Sequence, residues 1–142
     1  MNILVINGPN LNLLGIREPE IYGLETLEDI RNWLSIQPDA IGHEITWFQS
    51  NHEGDLIDQI QTTISLFDGI IINPGALTHY SFAIRDAIAS VNTPTVEVHL
   101  SDINTREEFR KVSVIKDECI SQISGLGKHV YIEAVKTLVN HL

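Results

Sequence analysis

The sequence places a glutamate and a histidine, Glu97 and His99, two positions apart near the end of the apolar run PTVEVHL (94–100). Side chains two apart on a β-strand point to the same side. A carboxylate beside an imidazole can orient the ring and favour its protonated form, which suits general acid catalysis. A strand end that simply meets solvent explains the pair equally well, so the spacing alone leaves both interpretations open.

A second pair lies in the loop GPNLNLLGIREPEIYG (8–23), where Arg17 and Tyr22 are five positions apart. A guanidinium near a phenol favours the phenolate, which would make Tyr22 a candidate base. A surface arginine would need no such explanation. The loop is longer than the roughly 2 to 6 residues of an ordinary βα connection, and this length suggests a lid.

The elements that must position these residues are short β-rich runs alternating with helical patterns. The strands are predicted at 2–7, 44–49, 69–73, 94–100 and 118–124, and the helices at 26–36, 55–67, 81–91, 104–110 and 127–142. Strands separated by helices imply right-handed crossovers and a parallel sheet covered on both faces. We therefore expect one α/β domain over 1–142, a flavodoxin-like, doubly wound three-layer sandwich with strand order 2-1-3-4-5.

In such sheets ligands bind beyond the carboxyl ends of the strands. Polar residues follow four consecutive strands, in the segments 8–23, SNHEG (50–54), NPGALTH (73–79) and HLSDINTRE (99–107). Asn73 and His79 flank the PGA of the third segment. A capping role of Thr78 at the next helix could by itself explain the polar residues of this segment. The convergence of four such segments at one edge predicts an active site there.

Composition excludes several function classes. Nineteen acidic residues against nine basic ones give a net charge of -10, which argues against nucleic acid and requires a local basic pocket for any anionic ligand. No apolar run approaches a membrane span, and residues 1–16 lack the basic start of a signal peptide, so we expect a cytoplasmic protein. The single cysteine, Cys119, lies inside a predicted strand and forms no internal disulfide.

Several chemistries also lack their motifs. The six histidines form no HxxxH or HxH pair, so no metal site is expected. Walker, GxGxxG and GxSxG patterns are absent, and no lysine lies in the first three strand-end segments. What remains is proton transfer by tyrosine and histidine, supported by arginine and asparagine, without a cofactor.

Four segments resemble type II 3-dehydroquinate dehydratase in order and spacing: GPNLNLLGIREPEIYG, FQSNHEGDLIDQI, INPGALTHYSFAIRDAI and VEVHLSDINTREEFRKVS. The resemblance covers residues 3 to about 127. It implies dehydration of the small anionic molecule 3-dehydroquinate to 3-dehydroshikimate, in aromatic biosynthesis or quinate breakdown. It also implies a flavodoxin-like fold, trimers packed into a dodecamer, and no metal or cofactor.

The same resemblance implies roles for individual residues. Tyr22 matches the base that removes the proton alpha to the ketone, and Arg17, on the lid, matches the residue that keeps it ionised. Asn12 is similar to the asparagine that stabilises the enolate through a water. His99 matches the general acid for the departing hydroxyl, with Glu97 supporting it. The positions that resemble the substrate-binding set are Asn73, His79, Asp86, Leu100, Ser101 and Arg110.

Within that set, Asp86 resembles a residue that a neighbouring subunit contributes to the site. The chain departs from the family pattern at GLGKHVY (125–131), where GxGxxGY is common, at Lys111, where histidine is frequent, and at Asp102, where asparagine is. These departures touch none of the proposed catalytic positions. Two rivals stay open: a non-catalytic flavodoxin-like binding module, such as a receiver or flavin carrier, and a different lyase or hydratase on the same scaffold.

Overall fold

The structure, a computed structural model, describes the backbone of all 142 residues and every side chain except that of Tyr22. Along this backbone five parallel strands form one sheet in the order β2-β1-β3-β4-β5. The strands are β1 (Asn2–Asn7), β2 (Glu44–Gln49), β3 (Gly69–Asn73), β4 (Thr95–His99) and β5 (Ser121–Ser124). The helices are α1 (Pro19–Tyr22), α2 (Leu27–Ser35), α3 (Glu53–Gln61), α4 (Phe82–Val91) and α5 (His129–His141).

The sheet is covered by apolar side chains on both faces. Side chains of α2 and α5 pack against one face, around Val5, Ile71 and Val96. Side chains of α3 and α4 pack against the other face, around Ile6 and Ile72. Near-continuous apolar strands are what a parallel sheet buried on both sides requires. The predicted doubly wound sandwich and its strand order are confirmed.

Two helices begin at side-chain caps. Thr26 and Asp29 form a reciprocal capping box at α2, with N···O distances of 3.0 and 3.1 Å, and these hydrogen bonds hold the pKa of Asp29 below its usual value. The N-cap of α4 is Ser81, whose Oγ accepts a hydrogen bond from the backbone N–H of Ile84 at 3.1 Å. The capping function considered for Thr78 therefore belongs to Ser81, and the Thr78 hydroxyl is used elsewhere.

The third helix is shorter than predicted. The periodicity predicts 55–67, whereas α3 ends at Gln61 and the side chain of Ile64 is exposed. The hydroxyls of Thr62 and Thr63 donate to carbonyls three residues back, which favours a turn over helix continuation, and Ser65 has a left-handed backbone with φ of 63°.

The segment after β4 also differs from the prediction. In place of a helix over 104–110 there are two single 3-10 turns, Ile103–Thr105 and Glu108–Arg110, because the backbone is extended at Arg106 and Glu107 between them. Strand β5 begins only at Ser121, so Cys119 lies before the strand and not inside it.

The last helix, α5, buries Val135 and Leu138, while Val139 is exposed on its outer side. None of the described helices has both the length and the apolar character needed to cross a bilayer.

Candidate active site

The loops after β1 and β3 lie in direct contact, and two glycines permit this. A Cβ atom on Gly8 would lie 2.6 Å from the carbonyl oxygen of Pro74, and the backbone N–H of Gly8 donates to the carbonyl of Asn73 at 2.8 Å. Gly75 has a φ of +60°, and a Cβ there would lie 3.0 Å from the carbonyl oxygen of Pro9. Glycine is favoured where backbones approach this closely or adopt positive φ. The two loops thus form one continuous wall.

A cavity opens beside this wall at the carboxyl edge of the sheet. Its lining comes from the loops after β1, β3 and β4: Pro9, Asn10, Leu11, Arg17, Asn73, Gly75, Ala76, His79, His99, Leu100, Ser101, Ile103, Arg106 and Arg110. The second predicted segment, 50–54, does not line the cavity. It supports the neighbouring loops instead: Asn51 accepts a hydrogen bond from the backbone N–H of Asn10, and Glu53 accepts one from Ser81.

The Glu97–His99 pair lies at the inner end of the cavity. Both side chains leave β4 on the same side, as the two-residue spacing predicts, and Glu97 Oε2 lies 2.5 Å from His99 Nε2. Glu97 is fully buried, and His99 is 6% exposed at the cavity surface. Glu97 therefore lies behind the histidine, with His99 between it and the cavity.

Glu97 has hydrogen-bond donors around both carboxylate oxygens. The Thr78 hydroxyl donates to Oε2 at 2.6 Å, and the Ser113 hydroxyl lies 2.9 Å from Oε1 and 3.0 Å from Oε2. Burial by itself would raise the pKa of Glu97. The hydrogen bond and charge of His99 oppose burial, and with the two hydroxyls they hold the pKa below its usual value. A buried carboxylate is thus kept ionised by its neighbours.

This ionisation determines which nitrogen of His99 carries a proton. An ionised carboxylate only accepts hydrogen bonds, so Nε2 of His99 must be the donor in its contact with Glu97. The other ring nitrogen, Nδ1, is then the one that can take up or release a proton toward a bound molecule. The pair therefore has the arrangement of a general acid with an orienting carboxylate.

The cavity wall is positively charged although the whole chain carries a net charge of -10. Arg17, Arg106 and Arg110 line it, and among its described lining residues there is no aspartate or glutamate. Arg110 is oriented by Glu107, with Nε 3.0 Å from Oε2, and its guanidinium lies 4.8 Å from the centre of the Phe109 ring. Such a site favours an anionic ligand.

Arg106 was not among the predicted site residues. It lies four positions before Arg110 in NTREEFR, and this spacing of two arginines just beyond a strand end is a signal that could have identified it.

Asn73 and His79, both predicted to bind substrate, line the cavity with defined orientations. Asn73 Oδ1 accepts a hydrogen bond from the backbone N–H of Gly75 at 3.2 Å, which leaves its amide N–H groups as donors. His79 Nδ1 lies 2.6 Å from the carbonyl oxygen of Val112, and because a carbonyl only accepts, Nδ1 carries the proton. Leu100 and Ser101, also predicted to bind substrate, follow β4 and line the same cavity. The substrate-binding roles of all four residues stay predictions.

Asn12 is not brought into the cavity. Its side chain is exposed, and Oδ1 faces Gln49 Nε2 at 3.5 Å, whereas Asn10 lines the cavity. Asn10 has a left-handed backbone with φ of 71° and precedes a 3-10 turn, Leu11–Leu13. Asn12 lies inside that turn and Asn10 at its N-cap, and the two asparagines have different surroundings. Sequence alone does not reveal which one faces inward.

Two further predicted site residues are Tyr22 and Asp86. The side chain of Tyr22 lies outside the described part of the structure, and its role as base stays a prediction. Asp86 is exposed on α4 and does not line the cavity, as a residue supplied to a neighbouring subunit would be placed. Its role also stays a prediction.

A different tyrosine, Tyr131, is buried beneath the site. Its hydroxyl donates to Asn7 Oδ1 at 2.5 Å, and Asn7 pairs with Asn73 across β1 and β3. Burial raises the pKa of Tyr131, so this phenol stays protonated. It is a structural donor and is unsuited to act as a base.

No group of three or more histidine, cysteine, aspartate or glutamate side chains is arranged to hold a metal ion among the described residues. Among the described residues, the titratable side chains that line the cavity are those of His79, His99, Arg17, Arg106 and Arg110.

Comparison with known proteins identifies the family of this chain. A family model described as Dehydroquinase class II matches residues 1–139. The 3-dehydroquinate dehydratase of Clostridium beijerinckii is 55% identical over 139 residues, covering 97% of this chain and 95% of the relative. Crystal structures of type II dehydroquinases from Butyrivibrio crossotus and Propionibacterium acnes superpose with TM-scores of 0.94 and 0.92, at 52% and 38% identity. The first comparison covers 98% of this chain and 97% of the other, and the second covers 98% and 96%. The family predicted from the four motifs is thus confirmed, and the chain belongs to the class II dehydroquinase family.

Proposed function

We propose that this chain is a lyase that converts 3-dehydroquinate to 3-dehydroshikimate and water, in aromatic biosynthesis or in quinate breakdown. Relatives more than half identical over nearly the whole chain are 3-dehydroquinate dehydratases. The observation that carries the mechanism is the buried Glu97–His99 pair at the inner end of an arginine-lined cavity. The substrate is an anion, and the arginines of the cavity offer the positive charge that binds it. Its hydroxyl must leave with a proton, and His99 offers the acid that supplies one.

The reaction begins with removal of a proton alpha to the ketone, and Tyr22 is the proposed base. The electron pair of the broken C–H bond moves into an enolate, whose oxygen becomes negatively charged. Arg17 lines the cavity five positions before Tyr22, and a guanidinium there favours the phenolate that a base requires.

The enolate needs hydrogen-bond donors already in position. Asn10 takes the place predicted for Asn12, because Asn10 lines the cavity and the side chain of Asn12 does not. The Asn10 amide can donate to the enolate oxygen directly or through a water, as the family's asparagine does.

In the second half of the reaction the enolate carbonyl reforms, its electron pair forms the new carbon–carbon double bond, and the carbon–oxygen bond to the hydroxyl breaks. His99 supplies the proton from Nδ1 that converts the departing hydroxide into water. The nearby negative charge of Glu97 stabilises the imidazolium before the transfer. After the reaction Tyr22 releases its proton to solvent and His99 takes one up from solvent, which returns the protein to its starting state.

The other residues that line the cavity bind the rest of the substrate. Asn73 and Ser101 offer hydrogen-bond partners for the carboxylate, His79 and Arg110 face the ring hydroxyls, and Leu100 supplies an apolar surface. Their positions around one cavity support this assignment.

We propose in addition that the chain acts as a single catalytic domain in the cytoplasm and self-associates into trimers and a dodecamer. Asp86 would then reach the site of a neighbouring subunit. Its exposure on α4 supports this, as do the exposed aromatic side chains of Tyr80 and Phe82 just before it. Light scattering tests the assembly, and a monomer mass at micromolar concentration would contradict it.

The function is tested by adding 3-dehydroquinate to purified protein and following the ultraviolet absorbance of the conjugated enone, without added metal or nucleotide. We expect the absorbance to rise, and folded protein that produces no signal would refute the assignment.

Tyr22→Phe and Arg17→Ala should each lose most of the turnover with the fold intact. Borohydride added with substrate should leave the enzyme active, because no lysine adduct forms. A yellow chromophore in the purified protein would favour the flavin-carrier alternative instead.

A further inference from the structure

Two hydroxyl groups from distant loops converge on the buried carboxylate of Glu97. Thr78 lies in the 3-10 turn after β3, 19 residues before Glu97, and its Oγ1 donates to Oε2 at 2.6 Å. Ser113 lies 16 residues after Glu97, and its Oγ is 2.9 Å from Oε1 and 3.0 Å from Oε2. We refer to Thr78 and Ser113 together as the hydroxyl clamp.

The clamp is held rigidly by its own contacts. The backbone N–H of Lys116 donates to Ser113 Oγ at 3.1 Å, which uses an oxygen lone pair and directs the Ser113 proton toward Glu97. The backbone N–H of Val114 donates to the carbonyl of Thr78 at 2.8 Å, which ties the two loops to each other. Thr78 is fully buried. The two hydroxyl oxygens also lie 3.1 Å apart, within hydrogen-bond distance of each other, so Thr78, Ser113 and Glu97 form one connected network.

The hydrogen bonds that Glu97 receives restrict the orientation of its carboxylate. Glu97 Oε2 accepts from both Thr78 and His99, while the Ser113 hydroxyl lies within hydrogen-bond distance of Oε1 and Oε2. The clamp thus prevents rotation of the carboxylate and keeps Oε2 directed at His99 Nε2. Loss of a donor would leave more negative charge on the carboxylate without compensation and make its protonation easier.

We propose that Thr78 and Ser113 are positioning residues of the reaction, which keep Glu97 ionised and aimed at Nε2 so that His99 presents Nδ1 to the substrate. This inference rests on the proposed role of His99 as the general acid. Neither hydroxyl lines the cavity, so both act through Glu97 and not by contact with substrate.

His99 and Cys119 are titratable groups that interact with Glu97. His99 lies on the same strand. From the segment before β5, Cys119 is close enough for the two to interact, and burial together with the charges of Glu97 and Glu118 raises the pKa of its thiol to about 12. Cys119 is therefore neutral across the working range. Arg85 on α4 pairs with Glu118 at 3.1 Å and donates to the carbonyl of Val114 at 2.7 Å.

The test compares Thr78→Val, which removes the hydroxyl at nearly constant shape, with Thr78→Ser, which keeps it. The titration of Glu97 is followed without substrate by ¹³C NMR of labelled glutamate carboxyl carbons, assigned with Glu97→Gln. We expect the Glu97 midpoint to rise in Thr78→Val and in Ser113→Ala, and to rise further in the double variant. Thr78→Ser should return it most of the way to the wild-type value.

Turnover provides the second measurement. In Thr78→Val we expect kcat to fall about tenfold, as for loss of one hydrogen bond to a charged group, while KM changes less than about twofold. The acid limb of the pH profile of kcat should move to higher pH, in step with the NMR midpoint. A lesion that is merely structural would lower the amount of folded protein without moving either midpoint. Thr137→Val, which removes a hydroxyl that donates to the carbonyl of Glu133 within α5, is the matched control.

An unchanged Glu97 midpoint in the double variant would overturn the inference. A raised midpoint with unchanged kcat and acid limb would overturn it as well, because the clamp would then not serve the reaction. Failure of the proposed function looks different: wild-type protein would form no enone from 3-dehydroquinate, while the NMR midpoints would still respond to the clamp.

Discussion

Replacing Glu97 with glutamine removes one negative charge at the centre of the site with almost no change in shape. The amide oxygen of glutamine can still accept from Thr78 and His99, and its NH2 group can donate to Ser113 Oγ. We therefore expect Glu97→Gln to fold. What it lacks is the charge that stabilises protonated His99.

The size of the effect follows from the contact that is weakened. The Glu97–His99 hydrogen bond is short, at 2.5 Å, and is shielded from water because Glu97 is fully buried. Hydrogen bonds to charged groups contribute about 1.5–3 kcal/mol. At about 1.4 kcal/mol per factor of ten, this predicts a fall in kcat of about 10- to 150-fold. KM should change little, because Glu97 lies behind His99 and does not line the cavity.

Initial rates of enone formation at neutral pH measure this directly. Glu133→Gln makes the same chemical change on the surface of α5, where Glu133 pairs with Lys136 at 2.9 Å, and its rate should equal that of the wild type. A Glu97→Gln enzyme that folds and turns over within twofold of the wild type would refute the reasoning about the acid. A large rise in KM at unchanged kcat would also contradict it.

Two further predictions concern stability. Tyr131→Phe leaves the buried Asn7 Oδ1 without its donor and should lower the free energy of unfolding by about 1–3 kcal/mol in urea titrations; a loss below about 0.5 kcal/mol would contradict the role of this bond. The second prediction follows from the pKa of Glu97, which folding lowers from 4.5. Its contribution is fully present above pH 4.5 and is lost as the pH falls through the lower folded pKa. The Tm advantage of the wild type over Glu97→Gln should therefore shrink below pH 4.5 in thermal melts, and an advantage that grows with acid would contradict this sign.

The regular parts of the molecule could be predicted because they follow local periodicity. Alternation along the apolar runs places Glu97 and His99 on one side of β4, and strands separated by helices imply the parallel order. The rule that ligands bind at the carboxyl edge then locates the cavity. Arg17, Asn73 and Arg110 all lie there.

The parts of the site that could not be predicted depend on contacts between loops, and the periodicity of the sequence carries no information about those contacts. Thr78 and Ser113 meet Glu97 from segments 19 and 16 residues away in the chain. Nothing local in either segment indicates that contact. The choice between Asn10 and Asn12 depends on a single left-handed residue, and the break at Arg106 depends on an extended backbone between two short turns. A contribution from Asp86 to another subunit would be invisible in any one chain.

In the proposed mechanism Tyr22 removes the proton alpha to the ketone and His99 then releases the hydroxyl as water. The most direct test follows 3-dehydroquinate by ¹H NMR in D₂O with His99→Asn and with Tyr22→Phe. We predict that His99→Asn still exchanges the alpha proton for deuterium while enone formation falls by about 10² to 10⁴, the usual contribution of a general acid. Tyr22→Phe should lose both exchange and enone formation. Enone formation at the wild-type rate in His99→Asn, or undiminished exchange in Tyr22→Phe, would contradict the account.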